Sequence, residues 1–170
     1  IKIWYIAGAD GLPVEESARK NLPIVKAIID EAHKHNLKVA VHATERITAQ
    51  LSVENGADFL VHSVDDEILK PDFIQLMKKK KTILCPTLVV VRNYGTSLGQ
   101  NMEFDLYEFE KSDAFQLGSL ADLKHISDTT LVNRYKNNKQ SKKSEEKWIS
   151  RKKNMLANLK LLSDAGVTIV

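Results

Sequence analysis

The fold is indicated most strongly by residues 38–62, which read KVAVHATERITAQLSVENGADFLVH. A short apolar run opens this stretch and ends at His42, and a second apolar run closes it and ends at His62. Apolar runs of this length, rich in Val, Leu and Phe, are typical of strands buried on both faces. Between them lies a helical pattern that ends at Asn55-Gly56. This order of strand, helix and strand predicts an α/β fold with a parallel sheet.

The same alternation continues on both sides of this unit. We predict strands at 1–6, 38–42, 57–62, 82–87 and 166–170, and helices at about 13–36, 45–55, 71–80 and 145–165. In the first helix we expect one buried stripe, formed by Ile24, Val25, Ile28, Ile29 and Ala32. Half of a (β/α)8 barrel fits this order better than a nucleotide-binding open sheet, because no G-x-G-x-x-G follows the first strand.

The pattern changes between the fourth and fifth predicted strands. Residues 93–99 are rich in turn formers and predict a loop, 102–135 have scattered helical periodicity, and 136–147 are highly charged and predict a mobile segment. A connection of this length is typical of an active-site cover or an interaction surface.

His42 and His62 occupy equivalent places in consecutive strand–helix units. The carboxyl ends of parallel strands meet at one edge of the sheet, where such folds place their chemistry. We therefore expect both side chains to point into one mouth, where two neutral imidazoles make a transition-metal site. The alternative is that each histidine is a hydrogen-bonded structural residue, and the spacing alone leaves both interpretations open.

The composition excludes several classes of function. The chain has 170 residues, 43% of them hydrophobic and 28% charged, with a formal net charge of only +3. Its basic clusters, at 78–81 and 136–153, are not interleaved with aromatic residues, so we predict no nucleic-acid partner. No apolar run approaches the roughly 20 residues of a membrane span.

The lone Cys85 excludes an internal disulfide framework. Because the chain opens inside one predicted strand and closes at the start of another, we expect a piece of a longer protein.

Several short motifs, taken in order, resemble the amidohydrolase superfamily, and most closely the imidazolonepropionase-like amidohydrolases, which include metal-dependent dipeptidases. The motifs are IKIW at 1–4, VHATE at 41–45, ENGADFLVHSVDDE at 54–67, CPTL at 85–88 and NLKLLSDAGV at 158–167. The resemblance implies a metal-dependent (β/α)8 (TIM) barrel, of which this chain would supply about strands 4 to 8. Residues 1–170 would then be the C-terminal half of the barrel, with an insertion at about 92–147 and the N-terminal strands missing.

The same resemblance implies a site. His42 and His62 match the family's metal-binding histidines, and Lys2 matches the carboxylated lysine that bridges two metals. A lysine between Ile1 and Ile3 is expected to point into the barrel, where burial favours the neutral amine that reacts with carbon dioxide. The expected cofactor is a divalent metal, zinc, as one or two ions. The family's catalytic aspartate would fall beyond Val170, so no catalytic residue is expected within the chain and the chain alone is expected to be inactive.

Residues outside the metal ligands are also implicated. Thr87 and Tyr94, which follow the fourth strand, are candidates to line the substrate pocket. Asp65 or Asp66 is a candidate to orient the second nitrogen of His62, although a charged loop after a strand is the alternative.

For the intact protein the resemblance implies hydrolysis of an amide, peptide or cyclic amide C–N bond in a small molecule or dipeptide. A first alternative is a mononuclear zinc deaminase of the same superfamily, in which Glu45 shuttles the proton, although Glu45 also suits the start of the following helix. A second alternative is a non-catalytic barrel fragment. A homo-oligomer is compatible with the sequence, and the sequence does not assign the protein to a cellular compartment.

Overall fold

The computed structural model describes residues 1–122, 129–140 and 142–170. Among the described residues, strands and helices alternate at first, and five helices then follow in succession. In chain order the elements are β1 (Lys2–Trp4), α1 (Val14–Lys34), β2 (Ala40–His42), α2 (Arg46–Glu54), β3 (Phe59–Val61), α3 (Pro71–Lys80), β4 (Ile83–Cys85), α4 (Val90–Leu98), α5 (Leu106–Lys111), α6 (Ala114–Asp122), α7 (Thr129–Gln140) and α8 (Lys142–Asp164). The described chain divides into two compact units, one of residues Ile1–Leu88 and Ile149–Val170 and one of residues Val89–Trp148.

The first unit is built on a parallel sheet with strand order β1-β2-β3-β4. Each strand is joined to the next by one helix, α1, α2 or α3, as expected for parallel neighbours. Beyond β4, an isolated parallel bridge joins Leu84 to Ile169, within the predicted fifth strand. The predicted parallel α/β sheet is therefore confirmed, although each strand is only three residues long.

The two faces of the sheet have different environments. The central residue of each strand is buried on the face that the helices cover: Ile3, Val41, Leu60 and Leu84. Side chains alternate along a strand, so the flanking residues lie on the opposite face. The register places two rows there, Lys2–Ala40–Phe59–Ile83 and, nearer the carboxyl edge, Trp4–His42–Val61–Cys85. All eight are exposed or half-buried, so this second face is open in the described structure.

The helix-covered face carries the hydrophobic core. Around β1, β2 and α1, one cluster includes Tyr5, whose hydroxyl donates to the Ala18 carbonyl oxygen at 2.5 Å, and burial raises the pKa of Tyr5 to about 12. The stripe of α1 is narrower than predicted: Val25, Ile29 and Ala32 are buried, whereas Ile24 and Ile28 are exposed. A second cluster joins α2, α3, β3 and β4 to the C-terminal part of α8, with Phe73, Met77 and Leu162 among its members.

The second unit is helical and contains α4 to α7 and the start of α8, with α4 packed against α7. The loop predicted at 93–99 is wrong, because these residues belong to α4 and the following turn. Val90, Tyr94 and Leu98 recur every fourth residue, a helical period that the turn formers between them obscured. The mobile segment predicted at 136–147 is also helical where it is described, in α7 and α8. That 92–147 is an insertion in a barrel stays a prediction.

Within the described ranges, every helix is either too short or too polar to cross a membrane.

Candidate metal site

The carboxyl edge of the sheet brings His42 and His62 together. His42 is the last residue of β2, and its carbonyl oxygen accepts a hydrogen bond from the Tyr5 backbone N–H at 3.2 Å. His62 directly follows β3, and its backbone N–H donates to the Cys85 carbonyl oxygen at 2.8 Å. These bonds extend the ladder to the ends of the strands, so that both imidazoles project from the same edge.

The two rings are in direct contact. Their centroids lie 4.5 Å apart and their planes meet at 73°, so that one ring presents its edge to the other. His62 reaches this position with a left-handed backbone, φ +79°, which is uncommon for a residue other than glycine. Such conformations persist where the surrounding structure enforces them, and they concentrate at functional sites.

The surroundings of both imidazoles favour the neutral form. Burial, together with repulsion from a protonated His42 and from Lys2, lowers the pKa of His62 from 6.5 to about 4. Burial and the charge of Lys2 also lower the pKa of His42, against the opposing effect of the Glu45 carboxylate. A neutral imidazole is the form that ligates a metal. The pair is therefore in a ligand-competent state.

Lys2 lies on the same open face of the sheet as His42, two register positions further from the carboxyl edge. Ile3 faces the helices, as the predicted alternation requires, and Lys2 faces away from them. The expected burial of Lys2 is wrong for this structure: the residue is exposed, because β1 is the edge strand and the face on which it lies is open.

The second nitrogen of His62 is engaged by Thr87. The contact joins His62 Nδ1 to Thr87 Oγ1, and Thr87 itself has φ +46°. Thr87 was predicted to line a substrate pocket, but the contact seen in the structure is with the candidate ligand. A threonine at positive φ is a marked departure from its usual backbone range. The loop after β4 therefore brings its hydroxyl to the imidazole against a local conformational cost.

The prediction that Asp65 or Asp66 orients His62 is wrong. Asp65 is buried and accepts a hydrogen bond from Arg151 Nη2 at 2.5 Å. Asp66 Oδ1 accepts from the Arg46 backbone N–H at 2.9 Å, at the first turn of α2. The two carboxylates tie the loop to α8 and α2, because a guanidinium group and a helix N-terminus are stronger partners for a carboxylate than a neutral imidazole.

The sequence analysis missed the residue that holds this loop. Asn158, on α8, is fully buried, and its Oδ1 accepts from the Leu69 backbone N–H at 2.8 Å. Its Nδ2 donates to the carbonyl oxygens of Val64 at 3.0 Å and Glu67 at 2.9 Å. The sequence did contain a signal: Asn158 lies at helical spacing between the apolar residues Met155 and Leu162, on the face of α8 that is buried. The loop that follows His62 is therefore fastened to a helix that lies about 90 residues further along the chain.

Trp4 was also missed. It lies in register with His42, and its ring stacks on that imidazole with centroids 5.5 Å apart and planes 11° from parallel. The sequence did contain a signal for this position. Side chains alternate along a strand, so Trp4 was expected on the same face as Lys2.

Glu45 and Tyr94 are the two remaining candidates. Glu45 is the N-cap residue of α2, and its carboxylate accepts from the Thr44 hydroxyl at 2.9 Å and the Thr48 hydroxyl at 3.3 Å. It starts the helix, as the sequence suggested. Tyr94 is an exposed residue of α4 in the second unit, and its role in a substrate pocket stays a prediction.

The donors at this edge fit a divalent transition metal only in part. Among residues 1–122, 129–140 and 142–170, no three or more His, Cys, Asp and Glu side chains form a group able to hold an ion. Two neutral imidazoles in contact supply two nitrogen ligands of the kind that zinc accepts. An unmodified lysine is not a usual ligand, so Lys2 would join these two imidazoles only after a chemical change.

No protein-family model matches the chain, and no curated protein matches it. Solved structures do. The whole chain aligns with the crystal structure of A. niger ochratoxinase at a TM-score of 0.57 and 18% identity, and it covers 30% of that chain. It aligns likewise with a Xaa-Pro dipeptidase that has methionine bound in its active site, at a TM-score of 0.51 and 14% identity, covering 32%. An uncharacterised protein aligns with 99% of this chain at a TM-score of 0.54 and 18% identity, and the alignment covers 32% of that protein.

The chain thus spans about a third of the length of these proteins. At such low identity the likeness shows the fold alone. The fold that these proteins share with this chain includes the parallel sheet with helical crossovers described above, because the alignments take in almost all of the chain.

Proposed function

We propose that the full-length protein is a metal-dependent hydrolase of amide, peptide or cyclic amide C–N bonds. In this proposal His42 and His62 hold one or two divalent ions, zinc above all, and Lys2 completes the set as a carboxylated side chain. The observation that carries the proposal is the contact of two neutral imidazoles, 4.5 Å apart, at the carboxyl edge of a parallel sheet. Lys2 lies on the same face.

The structural neighbours support this chemistry. An ochratoxinase and a Xaa-Pro dipeptidase share the fold over the whole of this chain. On that basis we extend amide or peptide hydrolysis to the full-length protein, with a dipeptide or another small amide as substrate. We also propose that the first unit corresponds to about strands 4 to 8 of an eight-stranded barrel and that 92–147 is an insertion in it.

The role of the bound ion is limited and general: it lowers the pKa of a coordinated water and polarises a substrate carbonyl. His62 contributes through its tautomer. When its Nδ1–H donates to Thr87 Oγ1, the lone pair of Nε2 is left free for the ion. Thr87 is thus a positioning residue for His62. Burial lowers the pKa of His42, which favours the neutral ring, and a neutral ring has one unprotonated nitrogen that can bind a metal.

Lys2 acts in this proposal only after reaction with carbon dioxide. The neutral amine would attack the carbon of CO2, so that a C–N bond forms as one C=O π bond opens onto oxygen, and one proton is lost to solvent. The product would be a carbamate anion, whose oxygens would be available as metal ligands. We propose that the base that accepts the proton from the attacking water is an aspartate following the strand that contains Ile169, outside this chain.

Metal analysis combined with intact mass measurement tests the proposal on the full-length protein. We expect one to two equivalents of zinc, a mass increment of one carbon dioxide on Lys2, and loss of both metal and hydrolysis in His62→Asn. The matched control is His35→Asn, because His35 is an exposed residue of the α1 terminus that pairs with Glu31 and lies outside the site. One zinc without the increment favours the mononuclear deaminase, and no metal under zinc-replete conditions refutes the proposal.

A further inference from the structure

Trp4 is the largest side chain on the open face of the sheet, and the proposed chemistry gives it no task. Its neighbour Ile3 faces the helix-covered core, so the alternation of β1 places Trp4 on the same face as Lys2. It is directly in register with His42 on the adjacent strand. The indole is 70% exposed, so the residue contributes little to the core.

The His42 ring lies between two other rings. The Trp4 indole is almost parallel to it, 5.5 Å away and tilted by 11°, whereas the His62 ring meets it edge-on at 4.5 Å. Offset parallel and edge-on arrangements are the two geometries that aromatic pairs prefer. The orientation of His42 is therefore set by contacts with two rings.

Hydrogen bonds from the described part of the chain do not supply this orientation. His62 is held at Nδ1 by Thr87, but no described side chain hydrogen-bonds the His42 imidazole. Rotation about χ2 of a histidine is soft, and a ring at the end of a strand turns readily unless it is packed. A metal ligand needs a fixed ring, and hydrogen bonds from outer residues usually provide this.

We propose that Trp4 is the positioning residue for His42 and that its indole does for this ring what the Thr87 hydroxyl does for His62. By covering one face of the imidazole, Trp4 holds the ring in the orientation that converges with His62. The functional part of this inference rests on the proposed metal site, but the positioning itself is a property of the metal-free chain.

The test compares Trp4→Leu, which removes the aromatic face, with Trp4→Phe, which retains one. Trp148→Phe is the matched control, because no ring contact between Trp148 and His42 or His62 occurs among the described residues. The metal-free chains are labelled with 13C-histidine, and the His42 ring signal is assigned by its loss in His42→Gln. Co2+ alone is then titrated into each chain, and bound Co2+ is measured by equilibrium dialysis.

In Trp4→Leu we expect the His42 ring protons to move downfield, because they leave the shielded zone above the indole. Aromatic pairs contribute about 0.5–1.5 kcal/mol, so Co2+ binding should weaken roughly twofold to tenfold. Trp4→Phe should recover most of the affinity, and Trp148→Phe should leave both measurements unchanged.

An unchanged His42 signal in Trp4→Leu overturns the inference, as does an unchanged Co2+ affinity in a chain that binds Co2+. A full-length wild-type protein that binds no Co2+ contradicts the proposed function, and the chemical shifts then still decide whether Trp4 orients His42. The two failures are therefore distinguishable.

Discussion

Replacing Asn158 with leucine tests how the loop after His62 is held. The two side chains are similar in size, so the change removes hydrogen bonds without opening a large cavity. Three backbone groups lose their partner: the N–H of Leu69 and the carbonyl oxygens of Val64 and Glu67. Asn158 is 1% exposed, and its bonds to Leu69 and Val64 are buried, whereas its bond to Glu67 is partly buried.

A buried polar group left without a partner costs about 1–3 kcal/mol. Three such groups would cost up to about 9 kcal/mol if all stayed buried, but the loop can open so that water hydrates them, which lowers the cost. We therefore expect Asn158→Leu to lower the free energy of unfolding by about 3 kcal/mol. With a urea dependence of about 2 kcal/mol per molar, the unfolding midpoint falls by about 1.5 M.

Urea titrations followed by circular dichroism measure this change. The control is Lys160→Ala on the same helix, because the Lys160 side chain is 76% exposed and its pair with Asp164 is a surface salt bridge. Such pairs contribute about 0–1 kcal/mol, so the control midpoint should stay near that of the wild type. If Asn158→Leu and Lys160→Ala have equal midpoints, Asn158 does not fasten the loop.

Three further outcomes follow from the structure. Thr87→Val removes the hydroxyl that contacts His62 Nδ1, so zinc affinity should fall by about tenfold or more in a competition assay, whereas Thr87→Ser should retain it. Burial raises the pKa of Asp58, but hydrogen bonds from Lys38, the Val39 N–H and His33 lower it below 3.8 overall. The ionised Asp58 carboxylate therefore stabilises the fold above pH 3.8, and this contribution is lost as the pH falls through the folded-state pKa. Asp58→Asn should flatten the dependence of the unfolding free energy on pH in this range, as measured by urea titrations. Gly56→Ala should cost about 1–2 kcal/mol in the same assay, because Gly56 has φ +99°.

The sequence was sufficient for the framework of the first unit because its signals are local. Apolar runs of β-branched residues predicted the parallel strands, and Asn55-Gly56 predicted the end of α2, where Gly56 has positive φ. The predicted α3 has the bounds seen in the structure, from Pro71 to Lys80, since proline is favoured in the first turn of a helix and the Lys81 C-cap is left-handed.

The helical second unit was harder to predict because local propensity and the observed structure disagree there. Asn93, Gly95, Thr96 and Ser97 all favour turns, yet they lie in α4. Its packing against α7, about 40 residues later, overrides the preference of the single residues. Such contacts between distant segments cannot be read from composition.

The candidate site was only partly predictable for the same reason. That His42 and His62 share one edge follows from parallel topology, and the structure brings their rings into contact. Their partners depend on tertiary geometry: the hydroxyl of Thr87 reaches His62 through a left-handed backbone, and Asn158 reaches the loop from a distant helix. The aspartates nearest to His62 in sequence, which were the simplest candidates, are used by other groups.

The central claim is that His42 and His62 converge on one divalent ion. A Co2+ titration of the 13C-histidine-labelled chain tests this most directly, because a paramagnetic ion displaces the ring signals of its own ligands. We predict that the signals of His42 and His62 leave their metal-free positions together, in a single step, while the signal of His35 stays. Displacement of only one of the two signals, or two separate steps, would contradict the claim.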